Sequence, residues 1–123
     1  MNAIQKAVEE FRSHFVGFVS TDVVHIESGM SIAGTSADPE FNASVASSYY
    51  ADLIQSNRQA LDLLKLGAQS AEDILISTGK VFILLRMLGE DYYHCLVIWR
   101  SDNLGFARLM MRRAEPRFLA ALG

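Results

Sequence analysis

Residues 38–67, DPEFNASVASSYYADLIQSNRQALDLLKLG, decide how this chain of 123 residues folds. Asp38 offers the short acceptor of an N-cap, Pro39 suits a first helical position, and Gly67 is a terminator placed after Lys65. The stretch therefore reads as one helix over residues 39–66, about 42 Å long at the α-helical rise. On a helical wheel Val45, Ala46, Tyr49, Tyr50, Leu53, Ile54, Ala60, Leu61 and Leu64 fill an arc wider than the ~100° stripe that one contact surface requires. Such a helix needs a sheet on one side and a second surface beside it.

The flanking segments supply the sheet. Ile4, Ala7, Val8, Phe11 and Phe15 recur at helical spacing and predict a first helix over residues 3–15. Residues 18–26 and 30–35 read as two strands around the turn Glu27-Ser28-Gly29. After Gly67 the chain turns strongly β, with strands at residues 73–77, 80–88 and 92–100. The links Thr78-Gly79 and Gly89-Glu90-Asp91 are too short for anything but antiparallel hairpins.

A three-residue loop pairs Leu88 with Tyr92, Arg86 with His94, Leu84 with Leu96 and Phe82 with Ile98 on one face. The other face holds Met87–Tyr93, Leu85–Cys95, Ile83–Val97 and Val81–Trp99, apolar throughout. Strands apolar on both sides are covered on both sides. Arg86 and His94, the one polar pair, are expected at a rim. Asp102 is the expected cap of a last helix carrying Leu104, Ala107, Met110, Met111, Ala114, Phe118 and Leu122, with Pro116 interrupting it near Arg113. The fold class is α/β, a five-stranded antiparallel sheet flanked by helices on both faces in the order α-β-β-α-β-β-β-α, within one domain over residues 1–123.

The net charge of −3 gives no electrostatic reason for nucleic-acid binding. Residues 100–123 nevertheless carry five Arg against Asp102 and Glu115, on a body with six Lys/Arg and twelve Asp/Glu. Cys95 is the only cysteine, which excludes an intrachain disulfide and fits a reducing, cytoplasmic setting. The longest apolar runs, residues 81–85 and 95–99, are far too short for a membrane span.

Enzyme motifs are missing. Ser77-Thr78-Gly79-Lys80 lacks a phosphate-cradling loop, and Gly29-Met30-Ser31-Ile32-Ala33 is one residue short of a nucleophile elbow and does not precede a helix. His94 and Cys95 are neighbours on a strand and so point to opposite faces, unsuited to joint metal ligation. No catalytic residue, metal site or cofactor is expected. Arg58, Asp62 and Lys65 read as an exposed helix face with local ion pairs, and Arg108 and Arg112 as neighbours on the last helix.

The order of elements resembles the Roadblock/dynein light chain family, within the wider longin- and profilin-like architecture. The likeness is sharpest where the strands lead into Ser101-Asp102-Asn103-Leu104-Gly105-Phe106-Ala107-Arg108-Leu109, similar to that family's Asn-Leu-Gly step into its last helix. Residues 27–35, ESGMSIAGT, resemble its glycine turn and short strand, and the long helix opening Asp38-Pro39-Glu40 stands at the corresponding place. The likeness spans residues 3–115. It departs in the first strand, where Ser20-Thr21-Asp22 is more polar than the resemblance leads one to expect.

The resemblance implies a homodimer, or a heterodimer with a similar chain, formed edge to edge through the strand Asp73, Ile74, Leu75, Ile76 and Ser77. The long helices would then meet through Tyr49, Tyr50, Leu53, Ile54 and Leu61. It further implies a non-enzymatic regulator or scaffold that binds a Ras-like small GTPase, modulation of GTP hydrolysis being one form such regulation takes. Ser44, Ser47, Ser48 and Ala51, small residues on the less apolar side of the long helix, are the expected partner-binding patch. An edge strand with alternating Ile74 and Ile76 is a liability unless covered or paired. The alternative is a PAS- or GAF-like sensory domain holding a small ligand, against which the sequence shows no glycine-opened or polar-lined pocket.

Overall fold

The hairpin of two apolar strands sets the frame of the computed structural model, which describes residues 2–123. Five strands, β1 (Phe18–His25), β2 (Met30–Ser36), β3 (Asp73–Ser77), β4 (Val81–Leu88) and β5 (Tyr92–Trp99), form one antiparallel sheet in the order β2-β1-β5-β4-β3. The β4–β5 register agrees pair for pair with the sequence reading, from Leu88–Tyr92 to Val81–Trp99. Loop length and alternation leave a hairpin no other pairing that keeps both faces apolar.

Helices α1 (Ala3–Arg12) and α3 (Leu104–Leu122) cover one face. Their Val8, Phe11, Ala107, Met111 and Phe118 are buried with Val23, Leu84, Leu88, Leu96 and Ile98 of the sheet. Helix α2 (Ser47–Leu63) lies on the other, where Ala51 and Ile54 are buried with Val19, Val24, Leu85, Tyr93, Cys95 and Val97.

The long helix is the main correction. It begins eight residues later than the sequence suggests, at Ser47, after a 3-10 turn at Ala43–Ala46. Asp38 does not cap it. Its carboxylate instead accepts from the Glu40 amide at 2.9 Å, and Asn42 accepts from the Ser44 amide at 3.1 Å. The Ser36 hydroxyl lies 2.7 Å from the carbonyls of both Asp38 and Phe41, and Phe41 packs against the core, so this connection is tied to the sheet. Anchored side chains override helix propensity here.

The far end also stops early. The Leu66 amide bonds the Leu61 carbonyl and the Lys65 amide the Asp62 carbonyl, each at 3.0 Å, with Lys65 at φ +60°. That is a Schellman closure with lysine where glycine is usual, two residues before Gly67.

The last helix departs twice from expectation. Asn103, not Asp102, caps it, accepting from the Phe106 amide at 2.7 Å, while Asp102 accepts from the Gly17 amide at 2.9 Å. Pro116 does not interrupt it, because Phe118 is locked between Phe11 and His94 and carries the helix through to Leu122. The first helix ends at Arg12 rather than residue 15.

Candidate partner-binding surfaces

The two faces of the sheet are finished to different degrees. Helix α2 sits over β1 and β2, at one side of its face. On the opposite side Ile74 and Ile76 of β3 and Val81, Ile83 and Met87 of β4 are only half-buried. Strand β3 is also the edge of the sheet, so one row of its backbone groups has no partner strand. Along α2, Tyr49 is 74% exposed and Leu53 41%, one turn apart, with Leu63 and Leu64 exposed at its end. Apolar helix surface and apolar sheet surface thus flank an open edge.

The residues expected at a subunit interface divide accordingly. Tyr49 and Leu53 are exposed, and Tyr50, Leu61, Ile74 and Ile76 are half-buried on this side. Ile54 is a correction, buried to 1% exposure against the sheet of its own chain. Leu75 points the other way, towards α1 and α3, and Ser77 is exposed at the strand end. Asp73 is already engaged, accepting from Arg108 Nε and Nη2 at 3.0 and 3.1 Å. That pair also answers for Arg108.

The small-residue patch does not face outward as a unit. Ser47 is buried, its hydroxyl donating to the Gly29 carbonyl at 2.8 Å, while its own carbonyl accepts from the Tyr93 hydroxyl at 2.8 Å. Ala51 is buried beneath it. Ser48 is exposed but closes on Gly29, whose φ is +70° and whose missing Cβ would stand 2.8 Å from the Ser48 Cβ. Ser44 is half-buried. Ser47 and Ser48 seat the β1–β2 turn on the start of α2, while Ser44 bonds to Asn42.

Arg86 and His94 pair in register, but not at a rim. His94 is fully buried, its ring 4.7 Å from those of both Phe11 and Phe118. The Thr21 hydroxyl donates its single hydrogen to the Cys95 carbonyl at 2.7 Å, so the His94 Nε2–H must donate to Thr21 Oγ1, also at 2.7 Å. Burial, with Arg86 nearby, lowers the His94 pKa to about 3 and keeps the ring neutral. Arg86 turns instead to Glu115 at 3.0 Å. Arg58 is no exposed ion-pair residue either: Nε and Nη2 are buried without an acceptor, one turn beyond Ile54. The basic C-terminal segment is largely engaged within the chain, through Arg108–Asp73, Arg117–Glu10 and the Arg100 bond to the Thr78 carbonyl.

A polar-lined recess, contrary to expectation, is present. It measures about 410 Å³ and lies between β1, β2 and the 3-10 turn, with Ser20, Asp22, Ser31, Gly34, Asn42 and Ser44 among its walls. Asp22 is 4% exposed and Ser20 2%, and neither Asp22 oxygen nor the Ser20 hydroxyl has a well-formed hydrogen bond. Burial raises the Asp22 pKa to about 6, offset only in part by a weak interaction with the Ser31 hydroxyl. The signal in the sequence was Ser20-Thr21-Asp22 itself, a polar run between Val19 and Val23 on the central part of a strand.

Among the described residues no group of His, Cys, Asp or Glu is arranged to hold a metal, and no helix is long and apolar enough to cross a membrane. By sequence, no family model and no curated relative matches the chain. Solved structures do. MglB from Myxococcus xanthus superposes with a TM-score of 0.85 at 12% identity, over 98% of this chain and 87% of that one. A Roadblock/LC7 domain from Streptomyces avermitilis gives 0.82 at 10% identity, over 96% of each chain. The gliding protein MglB from Thermus thermophilus gives 0.80 at 17% identity, over 98% of this chain and 92% of that one. The chain has the Roadblock/LC7 fold, as its order of elements suggested.

Proposed function

We propose that this chain is a non-enzymatic regulatory or scaffold protein that acts as a dimer and binds a Ras-like small GTPase. The observation that carries the dimer is the half-covered apolar sheet beside an unpaired edge strand. Two β3 strands paired antiparallel would join the sheets and bring each α2 over the uncovered part of the other sheet. Such pairing would cover Ile74, Ile76 and Ile83, together with Tyr49 and Leu53. The unmet Arg58 N–H groups would then face acceptors of the second copy. Buried donors of this kind carry a cost until they are met.

The GTPase part rests on the Roadblock-type resemblance and on the superposition with MglB. The outer side of α2 is the platform we assign to that partner, with Ser48 and Asp52 exposed along it. Ser47 and Ala51 support the platform from beneath. Regulation of GTP hydrolysis on this reading works by positioning elements of the GTPase, whose own site holds the nucleotide and the attacking water.

Light scattering tests the dimer. A mass twice that of the 13.6 kDa chain is expected, reduced to the chain mass by Ile76→Asp, which places a charge on the shared face. A wild-type protein that stays monomeric removes the proposal. Capture of a Ras-like small GTPase by the purified chain, loaded with GTP or with GDP, tests the partner. Preference for one nucleotide state is expected, and failure to capture either state sinks the GTPase reading while leaving the dimer standing.

A further inference from the structure

The recess between β1, β2 and the 3-10 turn holds a feature that the dimer and the GTPase leave unused. Asp22 and Ser20 project from a central strand onto the face shared with α2, as their pairing with Cys95 and Val97 shows. Both are more than nine-tenths buried, and both Asp22 oxygens and the Ser20 hydroxyl are unmet. A carboxylate placed so is expensive in the empty protein and calls for donors. No ion pair reaches it: the ion pairs among the described residues are Arg86–Glu115, Arg108–Asp73 and Arg117–Glu10.

The strand opposite keeps the space open. Gly34 pairs with Asp22, and a Cβ at Gly34 would stand 2.8 Å from the Asp22 Cβ. Any side chain there would close over the carboxylate. The volume of about 410 Å³ falls in the range of small-molecule pockets.

The chemistry narrows the occupant. An anion is repelled by Asp22. A metal ion would find one carboxylate and a few hydroxyls, with no cluster of stronger ligands. An alkyl guanidinium or ammonium presents several N–H donors to one carboxylate and to hydroxyl oxygens, and its charge is matched on the spot. We propose that this recess is a binding site for a small organic cation, whose guanidinium or ammonium group seats against Asp22 and Ser20 beneath the 3-10 turn. Because that turn leads directly into α2, occupancy fixes the start of the helix proposed as the partner platform. Binding itself does not depend on any GTPase.

The pKa of Asp22, although raised, leaves the carboxylate mostly ionised near neutral pH, as cation binding requires. The test compares butylguanidinium with butylurea, a neutral near-isostere, on the full chain by amide NMR titration. Saturable shifts confined to residues 20–22, 31–36 and 42–44 are expected with butylguanidinium, and binding at least roughly tenfold weaker with butylurea. Asp22→Asn should abolish the preference for the cation, while its thermal melt remains cooperative because the variant removes an unpaired buried charge. Ser20→Ala should weaken binding by a smaller factor. Equal responses to the two probes, an unchanged cation preference in a folded Asp22→Asn protein, or no saturable shift at all would overturn the proposal.

Discussion

The face beneath α1 and α3 and the face beneath α2 are built from the same strands to opposite ends. On the first, two helices cover the sheet and aromatic rings interlock around His94, although His94 Nδ1 and Arg86 Nε stay buried without a partner. Phe11, Phe118 and His94 are each buried, and the His94 Nε2–H is tied to Thr21. On the second, α2 covers one side only, Arg58 has unmet donors, and Asp22 is buried and unmet in the wall of a recess. A chain that can close one face this well has the means to close the other. What stays open is where the proposed partners are placed, since a partner that binds the folded chain returns stability an unfinished face lacks.

Phe118→Ala would break the closed face with the largest effect, a loss of about 3–5 kcal/mol in urea denaturation. Ile83→Ala, on the half-covered face, should cost under about 2 kcal/mol in dilute protein. Its cost should grow with protein concentration if a second copy covers that position, which a concentration series reads directly.

Acid separates the faces by sign. His94 ordinarily titrates near 6.5 and is lowered to about 3 in the fold, so the unfolded chain binds the extra proton between those values. Its contribution to stability is complete above about 6.5 and is lost as pH falls towards 3. Asp22 runs the other way: raised from 3.8 to about 6, it binds its proton first in the folded chain, and its penalty fades as pH falls through that window. Denaturation midpoints between pH 7 and pH 4 should therefore fall more steeply in Asp22→Asn than in wild type, and less steeply in His94→Gln. Parallel profiles for all three proteins would contradict the assignment of these two groups.

The smallest effect is expected at the end of α2. Lys65→Gly, at φ +60°, relieves a left-handed lysine and should raise stability by up to about 1 kcal/mol in the same assay. A loss of stability would show that the lysine side chain contributes more than its backbone costs.

Residues 38–67 show how far the sequence reaches. Alternation in residues 81–88 and 92–99, with a three-residue loop between, settled the hairpin register, because local geometry leaves a strand pair few options. Helical spacing likewise settled which residues of α1 and α3 face inward. It did not settle where α2 begins, since Ser36 and Phe41 fasten the preceding turn from other parts of the fold. Nor did it separate Ile54, which belongs to the core, from Tyr49 and Leu53, which remain exposed; periodicity marks an apolar side without saying what covers it.

The sequence by itself determined five strands, three helices and their order, because period and turn chemistry act over a few residues. The tertiary structure decided that His94 is a buried neutral donor, that Asp73 is held by Arg108, and that Ser20 and Asp22 line a recess. Each of these depends on groups far apart in the chain meeting in space: the partner of a polar side chain is set by the fold, and a strand's alternation tells only which way that side chain points.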